Sequence, residues 1–175
     1  SITNCYTTGT VHGYSSVGGF IGANQSNIEG CYSFAEVSGD YQMIGGFVGW
    51  NYAESGNSST ILNSYSTGNV TRTDQTDTSF GGFCGSAYRY GSSSLIKNCY
   101  STGSVIYSNG TNPTNKGFVG YTQGTVTLTN NFFDAEVSNQ STATGATAKT
   151  TSQMKTQSTF TGWDFSSVWA IDGTN

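Results

Sequence analysis

Tyrosines recur at equivalent positions in this chain, and they are its best candidates for binding chemistry. Each follows a small residue and precedes Ser or Thr; the four are Tyr6, Tyr32, Tyr65 and Tyr100. If Cys5 faces inward, strand alternation turns Tyr6 outward, and the rings form an exposed column suited to sugars or to another protein. If Ile2, Asn4 and Tyr6 share the inner face, the column belongs to the core. Both orientations remain open from the sequence.

A second group of aromatic residues lies in the segments that vary in length between repeats. The candidate binding residues in it are Trp50, Tyr52, Tyr88 and Tyr90, and the group also includes Tyr14, Tyr41, Tyr107 and Tyr121. Loops of repeat proteins often form the binding face, so this group is a second candidate surface.

Catalytic and metal chemistry finds little support. His12 is the only histidine, it has no repeat counterpart, and no nucleophile-elbow sequence accompanies it, so we interpret it as a loop or edge residue. The carboxylates fall at mostly non-equivalent positions. Asp74 and Asp77 share an expanded loop that could bind calcium, although solvated loop residues are the simpler interpretation. We therefore expect no enzyme, no cofactor and no metal site.

Four cysteines and five glycosylation sequons allow covalent modification. Cys5, Cys31 and Cys99 share one repeat position with Ser64, which favours small buried free thiols; a Cys5–Cys31 disulfide across adjacent coils is the alternative. No Cys-x-x-Cys occurs, which argues against zinc. The sequons begin at Asn24, Asn57, Asn69, Asn109 and Asn139.

The elements that must position these residues follow from an internal repeat. Copies of one strand-like segment begin at Ile2, Ile28, Ile61, Ile96 and Leu128, about 26 to 35 residues apart. A period in this range indicates a stacked architecture. We predict an all-β parallel β-solenoid (β-helix) of about four coils, with three strands in each coil, the first near Ile2–Thr7, and corners at Gly9, Gly68 and Gly103.

Recurring apolar residues predict the interior of this solenoid. An aliphatic column starts at Ile2, and an aromatic column comprises Phe20, Phe47, Phe83 and Phe118. The repeated asparagines, including Asn4, Asn63 and Asn98, predict an amide ladder along the stack. Phe133 is expected to continue the tyrosine column. Thr7, Thr67 and Thr102 raise an ice-binding face as a lesser alternative, since Ser33 and Phe34 interrupt it.

The end of the chain differs from the repeats. We divide a single domain into repeats over residues 1–137 and a capping segment over residues 138–175. A solenoid end exposes strand edges and core, so the apolar residues of the last segment predict a plug for it: Met154, Phe160, Trp163, Phe165, Trp169 and Ile171. One short helix is predicted over Thr151–Gln157, with Thr150 or Thr151 as its N-cap.

Composition limits the partners. The net charge is −4, with six Lys and Arg that do not cluster, so nucleic acid is not an expected partner. No apolar run of eighteen residues exists, so no membrane span is expected. The chain opens directly on a repeat strand, which suggests a processed chain or a fragment, with its first coil covered by upstream repeats or by a neighbouring subunit.

The repeats resemble the GLUG-repeat family, which pairs a segment like Asn98-Cys99-Tyr100-Ser101-Thr102-Gly103 with a block like Gly45-Gly46-Phe47-Val48-Gly49. The closing Gly162-Trp163-Asp164-Phe165 and Val168-Trp169 resemble the segment that often follows such repeats. Phe stands where the family block more often has Leu. The family occurs in bacterial and archaeal surface and secreted proteins, including adhesins. The resemblance implies an extracellular β-solenoid and supplies no catalytic motif.

Together these observations predict a non-enzymatic structural or adhesive module at the cell surface. Its expected partners are glycans, cell-surface proteins, upstream repeats, or further copies joined head to tail into a filament. The alternative is a carbohydrate-active β-helix enzyme, such as a polysaccharide lyase or hydrolase, which convergent carboxylates in a groove would favour.

Overall fold

The chain folds as a parallel β-solenoid. We describe it from a computed structural model covering residues 1–73 and 79–171. Each full coil contributes five short strands to five parallel sheets, rather than the three strands that the sequence predicts. Sheets I and II replace the single strand expected near Ile2–Thr7, because the backbone turns between them.

The sheets are numbered in the order in which a coil visits them. Sheet I comprises Ile2–Thr3, Asn27–Glu29, Ser59–Leu62, Ser94–Lys97 and Thr127–Thr129. Sheet II comprises Tyr6–Thr7, Tyr32–Ser33, Tyr65–Ser66, Tyr100–Ser101, Phe132–Asp134 and Thr147–Lys149. Sheet III comprises Thr10–Gly13, Glu36–Gly39, Val70–Arg72 and Val105–Tyr107. Sheet IV comprises Val17–Gly18, Ile44–Gly45 and Phe80–Gly81. Sheet V comprises Ile21–Asn24, Val48–Ala53, Cys84–Arg89 and Val119–Gln123.

The repeats stack in register, as the sequence predicts. Ile28 pairs with Ile2 on one side and with Ile61 on the other, and the column continues through Ile96 to Leu128. Because equivalent residues stack, a position that is apolar in every copy forms a continuous buried column.

A left-handed residue turns the chain between sheets I and II. Asn4, Asn63, Asn98 and Asn130 have φ of 49–54°, and Gly30, at the equivalent position of the second copy, has φ 63°. Asn and Gly tolerate this region better than other residues. The recurring asparagines are therefore corner residues, and the predicted amide ladder survives only in part, as the bond from Asn98 Nδ2 to Asn63 Oδ1 (3.2 Å).

Two apolar cores fill the interior. In the larger core, Phe47 and Phe83 are fully buried and their ring centroids lie 4.9 Å apart, with Phe20 and Phe118 extending the stack at 4.8 Å. The smaller core packs sheets III and IV together; its buried members are Val17, Val37, Ile44, Val70, Phe80 and Val105. The predicted interior phenylalanine column is confirmed.

Small hydroxyls fasten sheet II to the glycine-rich block. The side chains of Thr7, Ser66 and Ser101 donate to the carbonyls of Gly19, Gly82 and Gly117 at 2.7–2.8 Å. Thr7 therefore points inward, which removes it from an ice-binding face.

Two of the predicted corner glycines serve close packing between coils. A Cβ on Gly68 would lie 1.9 Å from the carbonyl oxygen of Ala35, and one on Gly103 would lie 2.0 Å from that of Gly68. Neither has a positive φ, whereas Gly9 does, at 104°. Glycine is needed at the first two positions because the neighbouring backbone leaves no room for a side chain.

The last coil is covered by residues 138–149 and not by the aromatic segment. Val105 and Gly117 donate backbone hydrogen bonds to Ser138 and Thr142, and Val119 bridges Thr144. Half-buried alanines at 143 and 146 pack against the larger core. The prediction that the aromatic residues plug the end of the solenoid was wrong, since they lie on its outer side.

The short helix forms as predicted. It spans Thr151–Met154, with Thr150 as its N-cap. The Thr150 hydroxyl accepts from the Gln153 backbone N–H, and the Gln153 side-chain oxygen accepts from the Thr150 backbone N–H, which completes a capping box. A 3-10 turn at Gln157–Thr159 follows. The helix starts the segment that folds back along sheet II.

Candidate binding surfaces

The tyrosine column faces outward from sheet II. Cys31 and Cys99 are buried, and the tyrosine that follows each of them lies on the opposite side of the strand. The rings of Tyr6, Tyr32, Tyr65 and Tyr100 stack at centroid separations of 4.7–5.3 Å, nearly parallel. The fifth member is Phe132, which pairs with Tyr100, and not Phe133, which pairs with Ser101 and enters the core.

Stacking limits what this column can bind. Each inner ring presents both faces to its neighbours in the column, so the edges of Tyr32 and Tyr65 point outward. Tyr6, at the end of the column, is 63% exposed and has only one neighbour in the stack. A sugar cannot lie flat on the inner tyrosines while the stack holds, which revises the use that the sequence suggests for them.

The aromatic C-terminal segment covers the part of the tyrosine column nearer the last coil, at Tyr65 and Tyr100. The ring of Trp169 lies 5.9 Å from Tyr100 and 6.2 Å from Tyr65, and it stacks on Trp163 at 4.3 Å. The indole N–H of Trp163 donates to the carbonyl of Asn130 at 2.8 Å. This burial raises the pKa of the Tyr100 and Tyr65 hydroxyls above the ordinary value.

Two cavities remain beneath this segment, one on each side of Trp169. The first, of about 540 Å³, has walls formed by Tyr100, Phe160, Trp163, Phe165 and Trp169. Asp134, Thr67 and Thr102 also line it. The second, of about 530 Å³, lies toward the first coil, against Tyr32, Tyr65, Asn63 and Glu29. Both volumes fall in the range of small-molecule sites.

Sheet V carries the other group of predicted aromatics, and its register brings them together. Trp50 and Tyr52 stack at 3.7 Å, and Tyr88 packs edge-on against Trp50 at 5.6 Å. Tyr90 and Tyr121 each pack against Tyr88 and are 43% and 40% exposed. We call these five residues the sheet V cluster. The sequence places all five among its loop aromatics, and the register of sheet V brings them together on one face.

All four cysteines lie in the described part of the chain and all are free thiols, so the alternative of a Cys5–Cys31 disulfide is not formed. The backbone N–H of Cys5 instead points at the sulfur of Cys31, 3.4 Å away. Burial raises the pKa of Cys84 and of Cys99 to about 12. These cysteines are packing residues.

The sequon asparagines differ in access. Asn24 is 2% exposed, and its amide nitrogen donates to the Asn51 side chain at 2.8 Å and to the Ser26 carbonyl at 3.0 Å. A glycan replaces one of the two hydrogens on that nitrogen, so one of these bonds would be lost. Because the side chain is also buried, Asn24 is unsuited to modification in the folded chain. The other four are exposed: Asn57, Asn69, Asn109 and Asn139.

His12 joins a hydroxyl and a carboxylate on the open surface of sheet III. Its Nδ1 lies 2.9 Å from Ser38 Oγ, and its Nε2 lies 3.5 Å from Asp40 Oδ2. The imidazole is 61% exposed and lines neither cavity described above. Acyl transfer needs oriented donors in a site that excludes water, which this surface does not provide.

Metal chemistry finds no new support. Across residues 1–73 and 79–171, no three His, Cys, Asp or Glu side chains come together as metal ligands would. Asp74 and Asp77, the predicted calcium residues, lie outside the described residues. In the same ranges, no helix has the length and apolar character needed to cross a membrane.

Sequence reasoning missed Asp134. It occupies the outward column of Thr67 and Thr102, two positions beyond the tyrosine column, yet it is 2% exposed because the C-terminal segment covers it. The sequence offered one signal: this column carries Thr in three copies, Phe34 in the second copy and a carboxylate only in the last copy.

Comparison with known proteins identifies the repeats. A model of the GLUG motif matches residues 13–38, 40–71 and 76–106. No curated protein and no solved structure matches the chain. The three consecutive matches cover just over half of the sequence, and such repeats support a repeat-containing, surface-type module. The chain belongs to the GLUG-repeat family.

Proposed function

We propose that this chain is a non-enzymatic adhesive module, located outside the cell, that binds polysaccharide through the sheet V cluster. The observation that carries the proposal is the convergence of Trp50, Tyr52, Tyr88, Tyr90 and Tyr121 on one outer face. The solenoid core does not require these rings, because the inner face of the same sheet is already filled by Val48, Cys84 and Val119.

The chemistry of the cluster suits sugars. Sugar rings offer apolar C–H faces, which pack on flat aromatic surfaces, and their hydroxyls bond to phenol groups at the rim. Rigid strands hold the aromatic rings, so little side-chain entropy is lost on binding. Charged groups are sparse in the whole chain, at 9% of residues, so an uncharged polymer is a better match than a polyelectrolyte.

Binding to immobilised polysaccharides and to a glycan array tests the proposal. We expect at least one polysaccharide to retain the protein, and a Trp50→Ala, Tyr88→Ala double variant to weaken that binding at least tenfold. Tyr14→Ala is the matched control, because Tyr14 is an exposed aromatic (68%) outside this cluster. Equal binding by the double variant, or equal losses in both variants, would contradict the proposal.

The absence of catalysis is part of the same proposal and needs its own measurement. Incubation with each bound polysaccharide should release no reducing ends and no unsaturated uronic acid. Product formation that disappears in His12→Ala or Ser38→Ala would instead favour the enzyme alternative.

Self-association is proposed at the first coil. Each of the five sheets ends there in an unpaired edge strand, and Cys5 and Tyr6 are exposed where their equivalents are covered. The opposite end is covered by residues 138–149, so a head-to-tail filament would require that cover to move. We therefore propose that the first coil pairs with a further coil of the same type. Light scattering over a range of protein concentrations tests this. A monomer at every concentration would refute association between copies.

A further inference from the structure

We propose that the 540 Å³ cavity beneath the C-terminal segment is a second binding site, and that it takes an uncharged sugar unit. This site shares only its class of ligand with the proposed function. It lies against sheet II and is built from different residues, so either site can fail without the other.

The carboxylate of Asp134 points to a ligand. Its Oδ1 accepts hydrogen bonds from the backbone N–H groups of Glu136 and Val137 at 3.0 Å and from the Thr151 hydroxyl at 3.1 Å. Within the described residues its Oδ2 accepts no hydrogen bond, and the side chain has no cation within ion-pair distance. A carboxylate that lines a cavity and has one oxygen without a protein partner can accept hydrogen bonds from a ligand there.

Further hydroxyls stand beside that carboxylate. Thr67 and Thr102 come from neighbouring coils and line the same cavity, and their side chains make no hydrogen bond within the described residues. Facing them are the rings of Phe160, Trp163 and Trp169. One wall therefore offers polar atoms in a row at the coil spacing, and the other offers aromatic surface.

The charges of the cavity select an uncharged ligand. Among the described residues, the charged side chains that line it are Asp134 and Lys155, which have opposite signs and offset each other. A cation alone would face Lys155 and an anion alone would face Asp134. A sugar unit carries several hydroxyl donors for Asp134 and the threonines, together with an apolar face for the indoles.

Tryptophan fluorescence provides a direct test, because the chain has three tryptophans and two of them line the cavity. In a Trp50→Phe background, only Trp163 and Trp169 report. The probes are cellobiose, maltose, lactose and diacetylchitobiose, with choline and galacturonate as charged comparisons. We expect a saturable change with at least one uncharged probe and none with the charged probes.

Variants then assign the binding to the cavity. Asp134→Asn keeps an acceptor for the backbone donors, and Thr102→Val keeps the side-chain shape; each should weaken binding at least tenfold. Asp40→Asn, just beyond the strand Glu36–Gly39 of sheet III, is the matched control and should bind as the background does. Far-ultraviolet circular dichroism verifies that each variant is folded. If Asp134→Asn is not folded, the result for Thr102→Val decides the question.

Three results would overturn the proposal: no saturation with any uncharged probe, saturation with choline or galacturonate alone, or undiminished binding by the folded variants. Asp134→Asn and Thr102→Val made in the wild-type chain, which keeps Trp50, should still be retained on polysaccharide. That retention, together with loss of cavity binding in the Trp50→Phe background, would separate the two sites.

Discussion

Replacing Phe47 by Ala tests the stacked interior most directly. Phe47 is fully buried and is flanked on both sides, by Phe20 at 4.8 Å and by Phe83 at 4.9 Å. Burial of a phenylalanine contributes about 1.5–3 kcal/mol, and each stacked pair about 0.5–1.5 kcal/mol. These contributions agree with the loss of about 3–5 kcal/mol that large-to-small substitution causes in tightly packed cores.

Urea denaturation followed by circular dichroism measures this loss. With an m-value of about 2 kcal/mol/M, the midpoint should fall by about 2 M. Phe20→Ala is the internal comparison, because Phe20 is half-buried at the open end of the same column and has one ring neighbour; we expect less than half the loss. Phe34→Ala, an exposed ring on the outer face, should change stability least. A loss below about 1 kcal/mol for Phe47→Ala, or an equal loss for Phe20→Ala, would refute the reasoning.

Three further predictions concern thiols, pH and close packing. A water-soluble thiol reagent at pH 8 should modify about one thiol per folded chain, Cys5, because burial raises the pKa of the other three cysteines. After denaturation it should modify four thiols, and a count of two would reveal a disulfide. Hydrogen bonds from Ser166 and Ser167 lower the pKa of Asp164 from 3.8 to about 2, so their contribution to the turn before Trp169 is complete above pH 4 and is lost as pH falls toward 2. Tryptophan emission should change over that range in the wild type and not in Asp164→Asn; a change that persists in the variant would contradict this. Gly68→Ala should cost at least about 1–3 kcal/mol in equilibrium unfolding, since the new methyl group meets the Ala35 backbone, and an unchanged midpoint would show that the coils can separate freely.

The stacked core could be predicted because its residues repeat. A position that carries Ile in four copies and Leu in the fifth can satisfy every coil only if it lies inside, and the same holds for the Phe column. The helix was equally predictable, since Thr150 and Gln153 form a local capping box. In both cases the information lies within one copy or recurs between copies.

The corner between sheets I and II could have been found but was not. Asn4 and its equivalents were interpreted as a ladder, although the second copy carries Gly30 at the same position. Asn and Gly replace each other where φ is positive, whereas Gly has no side-chain amide that could take part in a ladder. Recognising that exchange would also have settled the outward direction of the tyrosines.

The position of the aromatic C-terminal segment could not be predicted in the same way. Its composition shows that it must be buried, but the sequence contains no second copy to fix where. The end of the core and the outer tyrosine column both offered apolar surface. The polar residues 138–149 reach the end of the solenoid first, which leaves the column for Phe160, Trp163 and Trp169. The cavities and the burial of Asp134 follow from that choice.

The same segment alters how the solenoid can come apart. In a simple solenoid each coil touches only its neighbours, so opening begins at an end and proceeds one coil at a time. Here Trp169 touches Tyr65 and Tyr100, and Val168 reaches the surface beside Asn4 and Gly30 in the first two coils. The segment thus runs along the solenoid and links coils that do not touch one another directly. We therefore expect that opening from the last coil requires release of the C-terminal segment first, so that several coils open together.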